Sequence, residues 1–130
     1  MKTSSILFDS YAWVEFFLGS TKGEKVKGYL DHGDCSTPLI VIAELSAKYA
    51  HQLPSAWHER LQFIQEKTEI LPLTIEIVSE AGRTRQKMRE ERARFGLADA
   101  IIYETARFYE HVVLSGDPHF KGLPHTIFLE

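Results

Sequence analysis

The sequence predicts an α/β domain built on a short, mostly parallel sheet flanked by helices. Two observations carry that prediction. Short apolar runs alternate along the chain with longer helical stretches, the order expected when parallel strands are joined by crossover helices. The runs around Ile6-Leu7-Phe8 and Val112-Val113-Leu114 are continuously apolar rather than alternating, as suits strands buried on both faces. Size and composition fit one domain spanning 1–130. The chain is 44% apolar and 25% charged, with no linker, repeat or low-complexity stretch. A chain of this length buries roughly two-thirds of its unfolded surface, so it needs no disulfide or structural metal.

A first strand is expected over 4–9. The aromatic segment from Asp9-Ser10 to Leu18 reads as a helix with Ser10 as N-cap. Gly19-Ser20 ends it, and Thr21-x-x-Glu24 has the form of a capping box for a second helix to about Leu30. A brief strand, Cys35-Ser36, follows the turn at 31–34. Thr37-Pro38 reads as an N-cap with proline at the first helical position, opening a helix to about Gln52. Pro54 opens a fourth helix to 67, and Leu53, Trp57, Leu61 and Ile64 recur at helical spacing along it. Glu69-Ile70-Leu71 is a short strand closed by Pro72. Helices are then expected over about 74–94 and 97–109, and strands over 112–114 and 126–129.

Several classes of function are excluded early. The single cysteine, Cys35, permits no internal disulfide and fits a reducing compartment. No apolar run approaches the roughly 20 residues of a membrane span, and the N-terminus lacks the pattern of a secretory signal. A cytoplasmic protein is expected. The net charge of −3 announces no nucleic-acid binder, but its distribution is uneven. Residues 83–94 carry Arg83, Arg85, Lys87, Arg89, Arg92 and Arg94 against Glu90 and Glu91, a local +4 that leaves the rest of the chain at −7. This stripe reads either as a solvated helix face or as a set of phosphate contacts. On a continuous helix Arg85, Arg89 and Arg92 would share one face and are the residues expected to contact backbone phosphates.

Four acidic residues sit where a charge is unwelcome. Asp9 ends Ile6-Leu7-Phe8, Glu44 interrupts Leu39-Ile40-Val41-Ile42-Ala43, Asp99 lies within Leu97-Ala98-Asp99-Ala100-Ile101-Ile102, and Asp117 follows Val113-Leu114-Ser115-Gly116. Each has an ordinary alternative: a helix cap at Asp9, a Glu44–Lys48 pair, a dipole-favoured acid at Asp99, a turn residue at Asp117. Their pattern argues for more. Only five aspartates exist, and three fall at element junctions beside apolar runs. Asp9 and Asp117 each lie just past the end of a predicted strand, where open α/β sheets gather their ligands. Carboxylates brought together repel unless a cation sits between them, and oxygen ligands suit Mg²⁺ or Mn²⁺.

At these positions the sequence resembles the PIN-domain ribonucleases. Ile6-Leu7-Phe8-Asp9-Ser10-Tyr11-Ala12-Trp13-Val14-Glu15 is similar to the opening of that family. Ile42-Ala43-Glu44-Leu45, Gly96-Leu97-Ala98-Asp99-Ala100-Ile101-Ile102 and Leu114-Ser115-Gly116-Asp117-Pro118-His119-Phe120 follow in the family's order. A chain of this size most resembles the VapC-type toxins of toxin–antitoxin pairs. The resemblance implies a PIN-like three-layer fold, a homodimer, Mg²⁺- or Mn²⁺-dependent cleavage of RNA, and inhibition by a small cognate antitoxin. Two positions depart from the family pattern: Tyr11 replaces a small polar residue, and Ser115 replaces threonine.

The expected site follows. Asp9, Glu44, Asp99 and Asp117 hold one or two divalent ions, which polarise the scissile phosphate and activate water. Ser10 and Ser115 orient carboxylates or the attacking water. A non-catalytic PIN-like binding or regulatory module with a vestigial acidic site is the alternative. A phosphoacceptor domain would need a lysine near the last strands, and Lys121 fits poorly. The six histidines show no zinc-ligand spacing and are expected in structural or surface roles. Cys35 is expected to be a buried, inert thiol, and Gly19, Gly23 and Gly28 are too irregular for a phosphate loop. Trp13, Phe16 and Phe17 are expected in the core or a dimer interface rather than as platforms for bases.

Overall fold

The structure, a computed structural model, describes residues 5–130. Residue 4 of the expected first strand lies outside that range. Five strands form one sheet: β1 (Ile6–Phe8), β2 (Cys35–Pro38), β3 (Glu69–Leu71), β4 (Val112–Ser115) and β5 (Thr126–Phe128), in the order β3-β2-β1-β4-β5. Every pairing is parallel. Six helices connect them: α1 (Ser10–Leu18), α2 (Thr21–His32), α3 (Leu39–Tyr49), α4 (Pro54–Lys67), α5 (Ile75–Arg89) and α6 (Leu97–Tyr109). The chain winds outward from β1 to β2 to β3, then returns past β1 to lay down β4 and β5. Right-handed crossovers then put the α5–α6 connection on the opposite face from those between β1 and β3. The reversal between β1 and β4 is a topological switch point, the place beyond the strands' carboxyl ends where open α/β sheets bind their ligands.

The central strands bury what their apolar runs demand. Leu7, Phe8, Val113 and Leu114 are fully buried. Trp13 on α1 is also fully buried, with its ring 5.1 Å from Phe8, 5.5 Å from Phe17 and 5.6 Å from Phe16. Its Nε1–H donates to Thr37 Oγ1 at 3.1 Å. Thr68 Oγ1 donates to the Ile64 carbonyl, so the 2.8 Å contact between the two threonine hydroxyls has Thr37 as its donor. This relay ties α1 to β2 and to the start of β3 with no polar group left over. The helices α1 and α2 also cross closely. A side chain at Gly23 would overlap the Glu15 carbonyl, 2.8 Å from its carbon.

Three local expectations are corrected. Asp9, not Ser10, caps α1, and Ser20, not Thr21, caps α2 by accepting from Gly23 N. Thr37 is a strand residue rather than a cap, because its hydroxyl is committed to Trp13 and Thr68; α3 starts one residue after Pro38. α5 ends at Arg89 rather than near 94. Arg89 Nε donates to the Phe95 carbonyl at 2.8 Å, closing the turn that replaces the last helical residues.

The early end of α5 also corrects the arginine face. Arg92 lies beyond the helix, and its guanidinium donates from Nε to the His119 carbonyl at 3.2 Å and from Nη2 to the Lys121 carbonyl at 2.6 Å. It fastens a loop rather than facing a ligand beside Arg85 and Arg89. Those two, with Gly82 and Gln86, line a hollow of about 240 Å³. The Nε of Arg85 is buried with no hydrogen-bond partner among the described residues.

Candidate metal centre

Local structure places each acidic side chain. Asp9 follows β1 directly, and its Oδ1 accepts from Ala12 N at 2.9 Å, so one carboxylate oxygen caps α1. Glu44 projects from the middle of α3. Asp99 occupies the first turn of α6, where its Oδ2 accepts from Gly96 N at 2.9 Å. Asp117 follows β4, caps the short 3₁₀ turn Pro118–Phe120 and accepts from His119 N. Ser115, fully buried at the end of β4, accepts from Asp117 N at 2.9 Å, and its hydroxyl favours the charged form of Asp9.

These groups lie at the switch point. Asp9 is 2% exposed. Burial pushes its carboxyl up to about 7; Ser115 and the Ala12 amide oppose the shift, and Asp117 and Glu44 add to it by repulsion. Glu44 is raised by burial and by the charges of Asp99 and Asp117, against a Ser10 hydrogen bond. Asp99 is raised by burial and by Asp117, against Gly96 N–H and His119. Asp9, Glu44 and Asp99 thus each feel at least one other carboxylate of the set. The pairing alternative for Glu44 fails: among the described residues it has no ion pair, and Lys48 sits over the Tyr49 ring instead.

The tightest convergence includes a residue that sequence reasoning placed elsewhere. Ligand atoms of Asp99, Asp117 and His119 all lie within 4.8 Å of one another. His119 Nδ1 is 3.0 Å from Asp99 Oδ2 and 3.3 Å from Asp117 Oδ1, yet neither contact has hydrogen-bond alignment, and Nδ1 is buried. Of the six histidines, all expected in structural or surface roles, His119 is the one that lies among the candidate site's carboxylates. Asp9 and Glu44 border this triad rather than joining it at ligand spacing. The only available signal was adjacency to Asp117, because Asp99 is twenty residues away and meets His119 through the α6–β4 connection.

The donor set suits a hard divalent cation. No lysine or arginine makes an ion pair with any of the four carboxylates among the described residues. Glu44 Oε1 is buried without a donor. A buried carboxylate oxygen left in this way is costly unless a cation or water satisfies it. Several carboxylates and one imidazole together could ligate a divalent cation.

Comparison with known proteins agrees with this geometry. The family described as PIN domain matches residues 6–125. The chain belongs to the PIN-domain family. This PIN domain superimposes on a chain of a toxin–antitoxin complex from Klebsiella pneumoniae with a TM-score of 0.77 and 21% identity, covering 97% of this chain and 98% of that one. VapBC2 from Rickettsia felis, bound to a DNA fragment from its promoter, gives 0.74 at 15% identity over 95% and 96%. DNA-bound VapBC from Salmonella typhimurium gives 0.71 at 15% identity over 97% of each chain. At such identities these likenesses show the fold alone. No curated protein matches the sequence.

One neighbour of the site has a direct structural consequence. A Cβ at Gly116 would overlap the Tyr11 ring, lying 2.9 Å from Cδ1 and Cζ. The PIN domain thus presses Tyr11 against the backbone one residue before Asp117. Gly116→Ala is expected to lower the melting temperature and displace Asp117, and adding Tyr11→Ser should restore most of the loss. Absence of rescue in a thermal melt of the double variant would show that the two positions do not compete for space.

Proposed function

We propose that this PIN domain is a divalent-metal-dependent ribonuclease and the toxin of a type II toxin–antitoxin pair. The observation that carries the reading is the convergence of Asp99, Asp117 and His119 beside Asp9 and Glu44, with no lysine or arginine ion pair to neutralise them among the described residues. Asp99, Asp117 and His119 would hold the metal, with Asp9 and Glu44 closing the shell directly or through water. Bound there, Mg²⁺ or Mn²⁺ supplies Lewis-acid stabilisation of the phosphate and lowers the pKa of water.

The chain's own groups do the positioning. The Ala12 amide and the Ser115 hydroxyl hold Asp9 in one orientation, Gly96 N–H holds Asp99, and Ser10 orients Glu44. Arg92 pins the loop that carries Asp117 and His119. Arg85 and Arg89, flanking their hollow, receive backbone phosphates of the RNA. Assembly as a homodimer with a small antitoxin in the cytoplasm follows from the same family reading. The structural likeness to chains of toxin–antitoxin complexes supports the antitoxin partner.

The test is metal binding measured beside cleavage. Calorimetric titration should show Mn²⁺ and Mg²⁺ binding, and EDTA should abolish cleavage of single-stranded RNA. His119→Ala should weaken Mn²⁺ about tenfold and Mg²⁺ less, since imidazole favours the later transition ion. Cleavage that survives EDTA, or the absence of any metal binding, would overturn the reading.

A further inference from the structure

One cation, held by the side chain that packs against Gly116, has no carboxylate ion pair among the described residues. Lys22, in the first turn of α2, is half-buried, and its Nζ donates to Tyr11 Oη at 2.9 Å. The acceptor is a hydroxyl rather than a carboxylate, so the bond fixes the ammonium without forming an ion pair. An ammonium has three donors, and this is the only hydrogen bond Lys22 makes among the described residues. Other cations of the chain are spent differently: Lys27 on Asp31, Arg83 on Glu80, Arg107 on Glu104. Lys22 has no such ion pair, although Glu15 adds a weaker attraction to it.

Tyr11 gives this ammonium its address. Its ring occupies the space over Gly116, immediately before Asp117, and its backbone lies two residues past Asp9. The phenol is therefore wedged between the segments that carry two of the four carboxylates, with Lys22 at its outer end. None of those carboxylates is among the charges acting on Lys22, so the ammonium stands beside the cluster rather than inside it. Ordering a long lysine side chain on a neutral acceptor costs rotamer entropy. It also pre-sets a positive charge beside a strongly anionic crevice, as an anionic substrate requires. Arg85 and Arg89, on α5, belong to the connection on the opposite face of the sheet from Lys22.

We propose that Tyr11 and Lys22 form a phosphate subsite, in which Tyr11 positions Lys22 to contact an RNA phosphate flanking the scissile one. This rests on the ribonuclease reading above. Here the side chain that departs from the family pattern acts as a strut for a cation.

The experiment is fluorescence anisotropy with a labelled single-stranded RNA across a series of salt concentrations. It uses the Asp99→Asn protein with Mg²⁺ present, so that the probe is not consumed. Adding Lys22→Met should weaken binding about fivefold and reduce the salt slope by roughly 0.7, the value for one contact to a single strand. Tyr11→Phe keeps the ring on Gly116 but frees the ammonium, so it should weaken binding two- to threefold. Combined with Lys22→Met it should add nothing. Lys67→Met, on the exposed side of α4, is the control and should change neither quantity. In the otherwise unaltered enzyme, Lys22→Met should raise KM and leave kcat nearly unchanged. An unchanged slope and affinity would overturn the subsite, and a lowered melting temperature with both unchanged would reduce the pair to a tie between helices. If the Asp99→Asn parent binds no RNA at all, the ribonuclease reading falls with it. If the parent binds and Lys22→Met binds equally, only the subsite falls.

Discussion

Replacing Asp99 by Asn should reduce cleavage of RNA on the order of 10²–10³-fold while leaving the fold intact. The amide oxygen can still accept from Gly96 N, so the α6 cap survives. The lost charge is one of the two carboxylates that approach His119 most closely. The same change should raise the melting temperature of metal-free protein by roughly 2–5 °C, because it relieves repulsion among clustered, partly buried acids. Asp9→Asn should behave alike, with a pH signature. Its folded-state carboxyl, at about 7, lies above the ordinary 3.8, so ionisation costs stability. That cost is absent below the unfolded pKa, grows as pH rises and is full above pH 7. The gain from Asp9→Asn should therefore be largest near pH 8 and vanish toward pH 4. Full activity in Asp99→Asn would remove Asp99 from the chemistry. A lower melting temperature in both variants would show that the carboxylates stabilise the metal-free fold.

Trp13→Ala should cost about 3–5 kcal/mol, the range for deleting a large buried aromatic, out of a total stability typically about 5–15 kcal/mol. It removes the ring that Phe8, Phe16, Phe17 and Phe63 surround, along with the donor that satisfies Thr37. Trp13→Phe retains most of the packing and loses the N–H, so it should cost about 1–2 kcal/mol. Urea unfolding with a common m-value measures both. A loss under about 1 kcal/mol for the alanine variant would contradict the core assignment. The aromatic run then behaves as the sequence suggests, as interior rather than as a surface for stacking bases.

The sequence was most legible where local chemistry decides the element. Pro54 opens α4 and Pro72 closes β3 where expected, and Gly96 marks the start of α6. It was least legible where distant residues decide. Thr37-Pro38 has the form of a helix entry, but Trp13, twenty-four residues earlier, and Thr68, thirty-one later, draw that threonine into the sheet. The end of α5 carries no proline or glycine; the Arg89–Phe95 contact sets it through the fold of the following turn. The four carboxylates were readable as a set, because each interrupts or ends an apolar run. His119 was not, since only the reversal of the sheet between β1 and β4 brings its loop to α6.

The Arg92 clamp joins two segments that are remote in the chain, the α5–α6 turn and the loop after β4. Asp99 follows the first, and Asp117 and His119 lie in the second. Opening either segment to solvent means breaking the same guanidinium bonds, so the two should fluctuate as one cooperative unit rather than as independent loops. The triad is then assembled or dismantled as a whole. A planar fork serving two carbonyls has no equivalent in lysine, so the integrity of this unit depends on a side chain that a charge count would assign to the surface.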